Sequence, residues 1–260
     1  MKVAVTGKGG VGKTTITAVL ARLLARAGHP VVALDADPNP NLGLALGMGA
    51  DRAEGLDGAA NLLIRERTTL SHEHHGSDGG SHAAAPPRLA EDLLAALGAS
   101  AGDGVRLLQT GRIRRPAEGC LCCGSHRATR EIFAELSGDG RMVIADLEAG
   151  VTDLCWTEPK PDDAVVIVAN ADRASAEVAR RALQVTKDLE VRRVLLVANR
   201  VAPDDVGALR ELLPWPTAVE IPDDPDVNQA ERRGLSPVDF NPESAAVRAV
   251  GALASLLLEG

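Results

Sequence analysis

Residues 6–15 read TGKGGVGKTT, with four glycines and two lysines in ten positions. The stretch is bracketed by two different periodicities. Lys2–Thr6 is a short apolar run of strand type. Lys13–Ala27 carries Ile16, Val19, Leu20, Leu23 and Leu24 at helical spacing, with Gly28 placed to stop the helix. A strand, a glycine-rich turn and a helix in immediate succession leave few folds open. Gly7–Thr14 satisfies G-x-x-x-x-G-K-[ST], and this context is the one a phosphate-binding loop requires. Glycines allow successive backbone N–H groups to curl around an anion, and the following helix points its positive end at the same place. Lys13 is placed to reach the β- and γ-phosphates, and Thr14 to ligate Mg²⁺.

The rest of the chain repeats the alternation. Strands are expected at Val31–Asp35, Val105–Gln109, Arg141–Asp146, Ala164–Ala169, Arg193–Ala198 and Thr217–Ile221. Helices are expected at 88–98, 126–137, 174–189, 203–213 and 243–258. Most of the strands are continuous apolar runs, so both faces should be covered. The expected fold is α/β: a mostly parallel sheet of about seven strands with helices on both faces, and the resemblance of the loop to those of known P-loop NTPases implies the SIMIBI type. The 260 residues suit one domain. Only residues 66–88, ERTTLSHEHHGSDGGSHAAAPPR, break the pattern, and they read as a flexible, His-rich surface loop inserted into it.

Aromatic residues make up 2 % of the chain and tyrosine is absent, so the core must be Val, Leu, Ile and Ala. Net charge is −8, which argues against non-specific nucleic-acid binding. No apolar run approaches the roughly 18 residues of a membrane span, and the N-terminus runs straight into the Gly-rich loop without a signal-peptide pattern. The expectation is a cytoplasmic protein with no nucleic-acid or membrane partner. Its four cysteines should be reduced thiols or metal ligands.

The run KGGVGKTT, with its second lysine, resembles the deviant Walker A motif of the MinD/ParA/nitrogenase-iron-protein group of P-loop ATPases. That resemblance implies binding of ATP and ADP with Mg²⁺, with Gly9, Gly10, Val11, Gly12, Lys13, Thr14 and Thr15 around the phosphates. It also implies that Lys8 reaches across a homodimer to the partner's phosphates. Asp35-Ala36-Asp37-Pro38-Asn39-Pro40-Asn41 resembles the group's switch I, where Asp37 would orient the attacking water and lie near the Mg²⁺. Asp146 matches the Walker B aspartate, and Gly150 stands where switch II follows the γ-phosphate. Asn199, after the sixth strand, and Pro222, after the seventh, match positions that contact adenine. There is no guanine-specific N-K-x-D, so ATP is favoured over GTP.

Residues 118–127 read EGCLCCGSHR. Cys120 and Cys122 form a C-x-C pair, and two thiolates from one chain cannot complete a tetrahedral S₄ site. A two-fold dimer that joins two such pairs can. Ser125, as a cap of the following helix, and Arg127 and Arg130 near its start favour the thiolate form. On extended backbone adjacent side chains alternate, so Cys123 is expected to fall outside the site of Cys122, and Cys155 beside Trp156 reads as core. The EGC-x-C stretch, together with DADPNPNL, the EAG of switch II and IPDDP, resembles the CooC-type ATPases that mature nickel carbon monoxide dehydrogenase. By that resemblance Cys120 and Cys122 bind a transition metal, Zn²⁺ or Ni²⁺, at the dimer interface, and the client is a nickel carbon monoxide dehydrogenase. His72, His74, His75 and His82 could bind the same metals or form an ordinary solvated loop. Two other classes stay open: a positioning ATPase of MinD or ParA type without metal, and an iron–sulfur electron-transfer ATPase like the nitrogenase iron protein.

Overall fold

The computed structural model describes residues 1–56, 89–111, 132–136, 140–150, 154 and 160–259. Eight strands lie in one sheet: β1 Lys2–Gly7, β2 Val31–Asp35, β3 Ala99–Ser100, β4 Arg106–Gln109, β5 Met142–Asp146, β6 Ala164–Ala169, β7 Arg193–Val201 and β8 Thr217–Pro222. Their order is β3-β4-β2-β5-β1-β6-β7-β8. Every pairing is parallel except that of the two-residue edge strand β3 with β4. From β1 the chain builds one half of the sheet through β2, β4 and β5, then crosses to β6 and builds the other. The reversal falls beside β1, and the crevice beyond the carboxyl ends of strands at such a point is where open α/β sheets bind ligands.

The strands read as unbroken apolar runs because helices cover both faces. Val3 and Val5 face one side, with α1 (Lys13–Arg26), α2 (Leu42–Ala45) and α9 (Ala245–Leu258). Ala4 faces the other, with α4 (Leu89–Leu97), Ile132–Leu136, α5 (Arg173–Asp188) and α6 (Pro203–Leu212). The three remaining helices, α3 (Ala50–Glu54), α7 (Pro225–Arg232) and α8 (Pro237–Phe240), are short. The core is aliphatic, as the composition requires: its largest fully buried side chains are Leu and Ile.

Most boundaries shift by a residue, and short elements at 42–45, 50–54, 99–100, 225–232 and 237–240 add to those expected; two boundaries bear on the site. The sixth expected strand, β7, runs on through Asn199 and Arg200 to Val201, because β8 continues to pair with it past a register shift. Asn199 is therefore a strand residue and not the first residue after a strand. Pro222 likewise closes β8 and does not follow it. The expected helix at 126–137 is seen only from residue 132, the earlier part lying outside the described residues.

One buried ionic knot lies on the α1 face. The Arg22 side chain is 4 % exposed. It donates to Asp103 at 2.5 Å, to both oxygens of Asp239 at 2.7 and 3.0 Å, and to the carbonyl of Leu46 at 3.0 Å. It thereby joins α1 to the turn before β4, to α8 and to the carbonyl at the end of α2.

Candidate nucleotide-binding site

The loop between β1 and α1 owes its path to glycine at two positions. At Gly7, φ is +148°, and a Cβ would collide with the carbonyl oxygen of Val168 on the neighbouring β6. At Gly12, φ is +96°, and a Cβ would collide with the side-chain amide of Asn199. Gly12 is also the N-cap of α1 and supplies no side-chain acceptor, so the first N–H groups of the helix have no side-chain cap. These are the donors that an anion would use.

Lys13 is buried at the base of this loop, and its Nζ donates to the carbonyl of Lys8 at 3.3 Å. Burial pulls its ammonium below the ordinary value, while Asp146, Asp37 and Glu148 pull the other way. A cation held among three acids and short of water is well placed for a triphosphate. Thr14 Oγ1 donates to Asp146 Oδ2 at 2.6 Å. Asp146 is 2 % exposed, and its other carboxylate oxygen, Oδ1, has no hydrogen-bond partner. A buried carboxylate with one orphaned oxygen, beside a threonine hydroxyl, fits a Mg²⁺ ion bound largely through waters and phosphates. Burial pushes the Asp146 carboxyl up to about 6 against the opposing pull of Thr14 and Lys13.

Asp35, which nothing in the sequence marks as a site residue, organises the segment that resembles switch I. It is in register with Asp146 on the adjacent strand and is fully buried. One carboxylate oxygen accepts from the Asp37 N–H at 3.2 Å and the other from the Leu42 N–H at 2.9 Å. Residues 36–41 are thus a loop closed at its base by one carboxylate. Burial, then the charge of Asp146, pushes Asp35 up to about 8. Asp37 itself is half-buried, its carboxylate accepting from the Asn39 N–H at 2.8 Å. Gly150 is drawn back against the strand end: its N–H donates to the Gly7 carbonyl at 3.2 Å, and its carbonyl accepts from Thr6 Oγ1 at 2.7 Å.

The structure brings Asn199 and Pro222 to one cleft beside the loop, lined also by Gly12, Thr15, Ile16 and Ile221. Asn199 Nδ2 donates to the Val11 carbonyl at 2.6 Å, which braces the loop. That bond fixes the amide's orientation and leaves Oδ1, an acceptor, for a ligand. An acceptor suits the exocyclic amine of adenine and not the oxygen that guanine carries there. Lys8 points elsewhere, its Nζ lying 3.7 Å from Asp172 Oδ1. The cysteines Cys120, Cys122, Cys123 and Cys155, and the histidines His72–His82, lie outside the described residues.

The family model for the CobQ/CobB/MinD/ParA nucleotide binding domain matches residues 2–238. The chain belongs to that family. It is a P-loop ATPase, as the loop sequence implied. It is 33 % identical over 247 residues to the carbon monoxide dehydrogenase accessory protein CooC of Rhodospirillum rubrum, across 93 % of this chain and 91 % of that one. An uncharacterised ATP-binding protein of Methanocaldococcus jannaschii is 29 % identical over 252 residues, 94 % of this chain and 93 % of its own. Among solved structures, the cell division ATPase MinD of Pyrococcus furiosus superposes with a TM-score of 0.69 at 22 % identity, covering 99 % of this chain and 98 % of that one. MinD of Pyrococcus horikoshii, complexed with Mg-ADP, gives 0.68 at 20 % identity, covering 100 % and 97 %. At that identity these structures speak for the fold, including its mostly parallel sheet. Among the described residues no helix is long and apolar enough to cross a membrane.

Proposed function

We propose that this ATPase is a Mg²⁺-dependent, homodimeric metallocentre maturation factor that handles Ni²⁺ or Zn²⁺ as cargo. The observation that carries this reading is the end-to-end similarity to the carbon monoxide dehydrogenase accessory protein, within which Cys120-x-Cys122 falls. The MinD structures support no finer choice, because their likeness is one of fold.

In this reading the backbone N–H groups of the loop from Gly9 to Thr15 and the Lys13 ammonium hold the triphosphate. Asn199 Oδ1 and the Pro222 edge of the cleft hold adenine. Thr14 and Asp146 would hold Mg²⁺, with Asp37 alongside; when bound, the ion neutralises charge developing on the phosphates. Asp37 orients the water that attacks the γ-phosphate. Lys8 supplies a cation to the partner's nucleotide, in the manner of an arginine finger, which is worth about 10³–10⁵ in rate. Hydrolysis removes the γ-phosphate that Gly150 and residues 36–41 follow. The two segments relax, the subunits shift, and the paired Cys120 and Cys122 thiolates of the two protomers change their grip on the cargo ion.

Metal analysis with gel filtration, with and without ATP, tests this on the wild type and a Cys120→Ala/Cys122→Ala variant. One metal ion per two chains is expected, lost in the variant. Equal metal content in both proteins would eliminate the cysteine site and turn attention to His72–His82.

A further inference from the structure

A second cavity opens at the amino ends of the strands, the end of the sheet away from the phosphate loop. Its volume is about 330 Å³, at the low end of the roughly 300–1,000 Å³ of small-molecule sites. Val32 of β2 and Leu94 and Ala95 of α4 supply apolar wall, and Glu91, Arg106 and Arg141 are the charged residues that line it. Register sets the two arginines on either side of β2, which lies between β4 and β5. Arg106 pairs with Val32, and Arg141 directly precedes Met142, which pairs with Val31. Strands two apart are about 10 Å from each other, so the arginines arise on opposite sides of an apolar strip.

The two guanidiniums are not equally matched. Arg141 Nη1 donates to Glu91 Oε1 at 2.7 Å. Arg106 has no carboxylate partner among the described residues. Its Nη2 donates to the carbonyls of Leu94 and Gly98, each at 2.9 Å, and so closes the end of α4. Its Nη1 makes no hydrogen bond among the described residues, and its Nε is buried without a partner. A buried N–H left unpaired is costly, and a cation partly withdrawn from water attracts an anion. The three charges that line the cavity sum to one positive charge in excess, which belongs to Arg106. We propose that this cavity binds a small aliphatic monocarboxylate, with its acid group on Arg106 and its hydrocarbon against Val32, Leu94 and Ala95. The planar guanidinium matches a carboxylate in shape and charge. A single excess charge suits a monoanion, whereas a phosphate dianion brings a second negative charge beside Glu91. The site is separate from the nucleotide cleft, because β2 reaches Asp35 only at its other end.

Isothermal titration calorimetry on the full chain tests this with hexanoate, hexan-1-ol and inorganic phosphate, which separate the contributions of charge and chain. Hexanoate is expected to bind saturably, one per chain, and at least about tenfold more tightly than either of the others. Arg106→Gln keeps an N–H donor for the end of α4 but removes the charge, and should weaken hexanoate by about 10- to 100-fold. Ala95→Leu places a good helix former at an exposed position of α4, leaves every charge in place and narrows the cavity. It should weaken hexanoate by about tenfold. ATP turnover at the wild-type level in each variant checks its fold, and Ala95→Leu decides alone if Arg106→Gln does not fold. Absence of saturable hexanoate binding overturns the proposal. So does hexan-1-ol binding as well as hexanoate, which would make the cavity merely apolar, or phosphate binding as well, which would make it a general anion site. Wild-type affinity for hexanoate in either folded variant also overturns it, because the ligand would then sit elsewhere.

Discussion

Two aspartates decide much at the scale of single residues. Asp35 and Asp146 end neighbouring strands in register, both buried, and burial, then the charge of Asp146, raises the cost of ionising Asp35. In protein free of nucleotide and metal, Asp35 keeps its proton up to about pH 8, whereas the unfolded chain gives it up near 3.8. The folded state therefore binds the extra proton between those limits. Its contribution to stability is complete below the lower limit and is lost as pH rises towards the upper one. Asp35→Asn has no proton to lose. Thermal unfolding across that range should show the wild type losing ground to the variant as pH rises, by at most about 1.4 kcal/mol per pH unit. Parallel profiles would mean that Asp35 ionises normally.

Arg22 shows what one side chain can do for several elements. Its guanidinium ties the last turns of α1 to Asp103, to α8 and to the Leu46 carbonyl at the end of α2. Arg22→Met keeps much of the packing but leaves Asp103 and Asp239 to the half-exposed Arg26 alone and strips the Leu46 carbonyl of its guanidinium donor. A loss of roughly 2–4 kcal/mol is expected by urea denaturation, tempered because Asp103 and Asp239 are partly open to water. An unfolding midpoint equal to the wild type's would show the knot to be energetically idle. This cluster was not legible in the sequence, since its members are 81 and 217 residues apart. The phosphate loop was legible because strand, glycines and helix lie within 25 residues and each announces itself locally. Asn199 was found but misplaced: two polar residues look like a strand's end until β8 is seen pairing beside them.

For the whole molecule, the reading of Lys8 and Lys13 separates binding from activation. Lys13→Ala should lose tight ATP binding, and Lys8→Ala should bind ATP yet lose turnover by on the order of 10³-fold. If the lysine acts across subunits, each variant lacks what the other retains. Mixing the two inactive proteins should restore turnover, because a mixed dimer has one loop that binds ATP facing one intact Lys8. A mixture as inactive as its components would place Lys8 in service of its own nucleotide. The same assembly would let two C-x-C pairs meet, so recovery in the mixture should require the concentration at which dimers form.

The base of the segment that resembles switch I is a single point. Because the carboxylate of Asp35 receives the N–H of both Asp37 and Leu42, the six residues between Asp35 and Leu42 enter and leave through one clasp. Two hydrogen bonds meeting at one point oppose sliding along the sheet more than they oppose a swing about that point, as a hinge pin does. Asp37 sits two residues from the pin, so a displacement of the arc at Pro38–Asn39 moves it little, and in the proposed role of Asp37 that short lever holds its carboxylate near the phosphates.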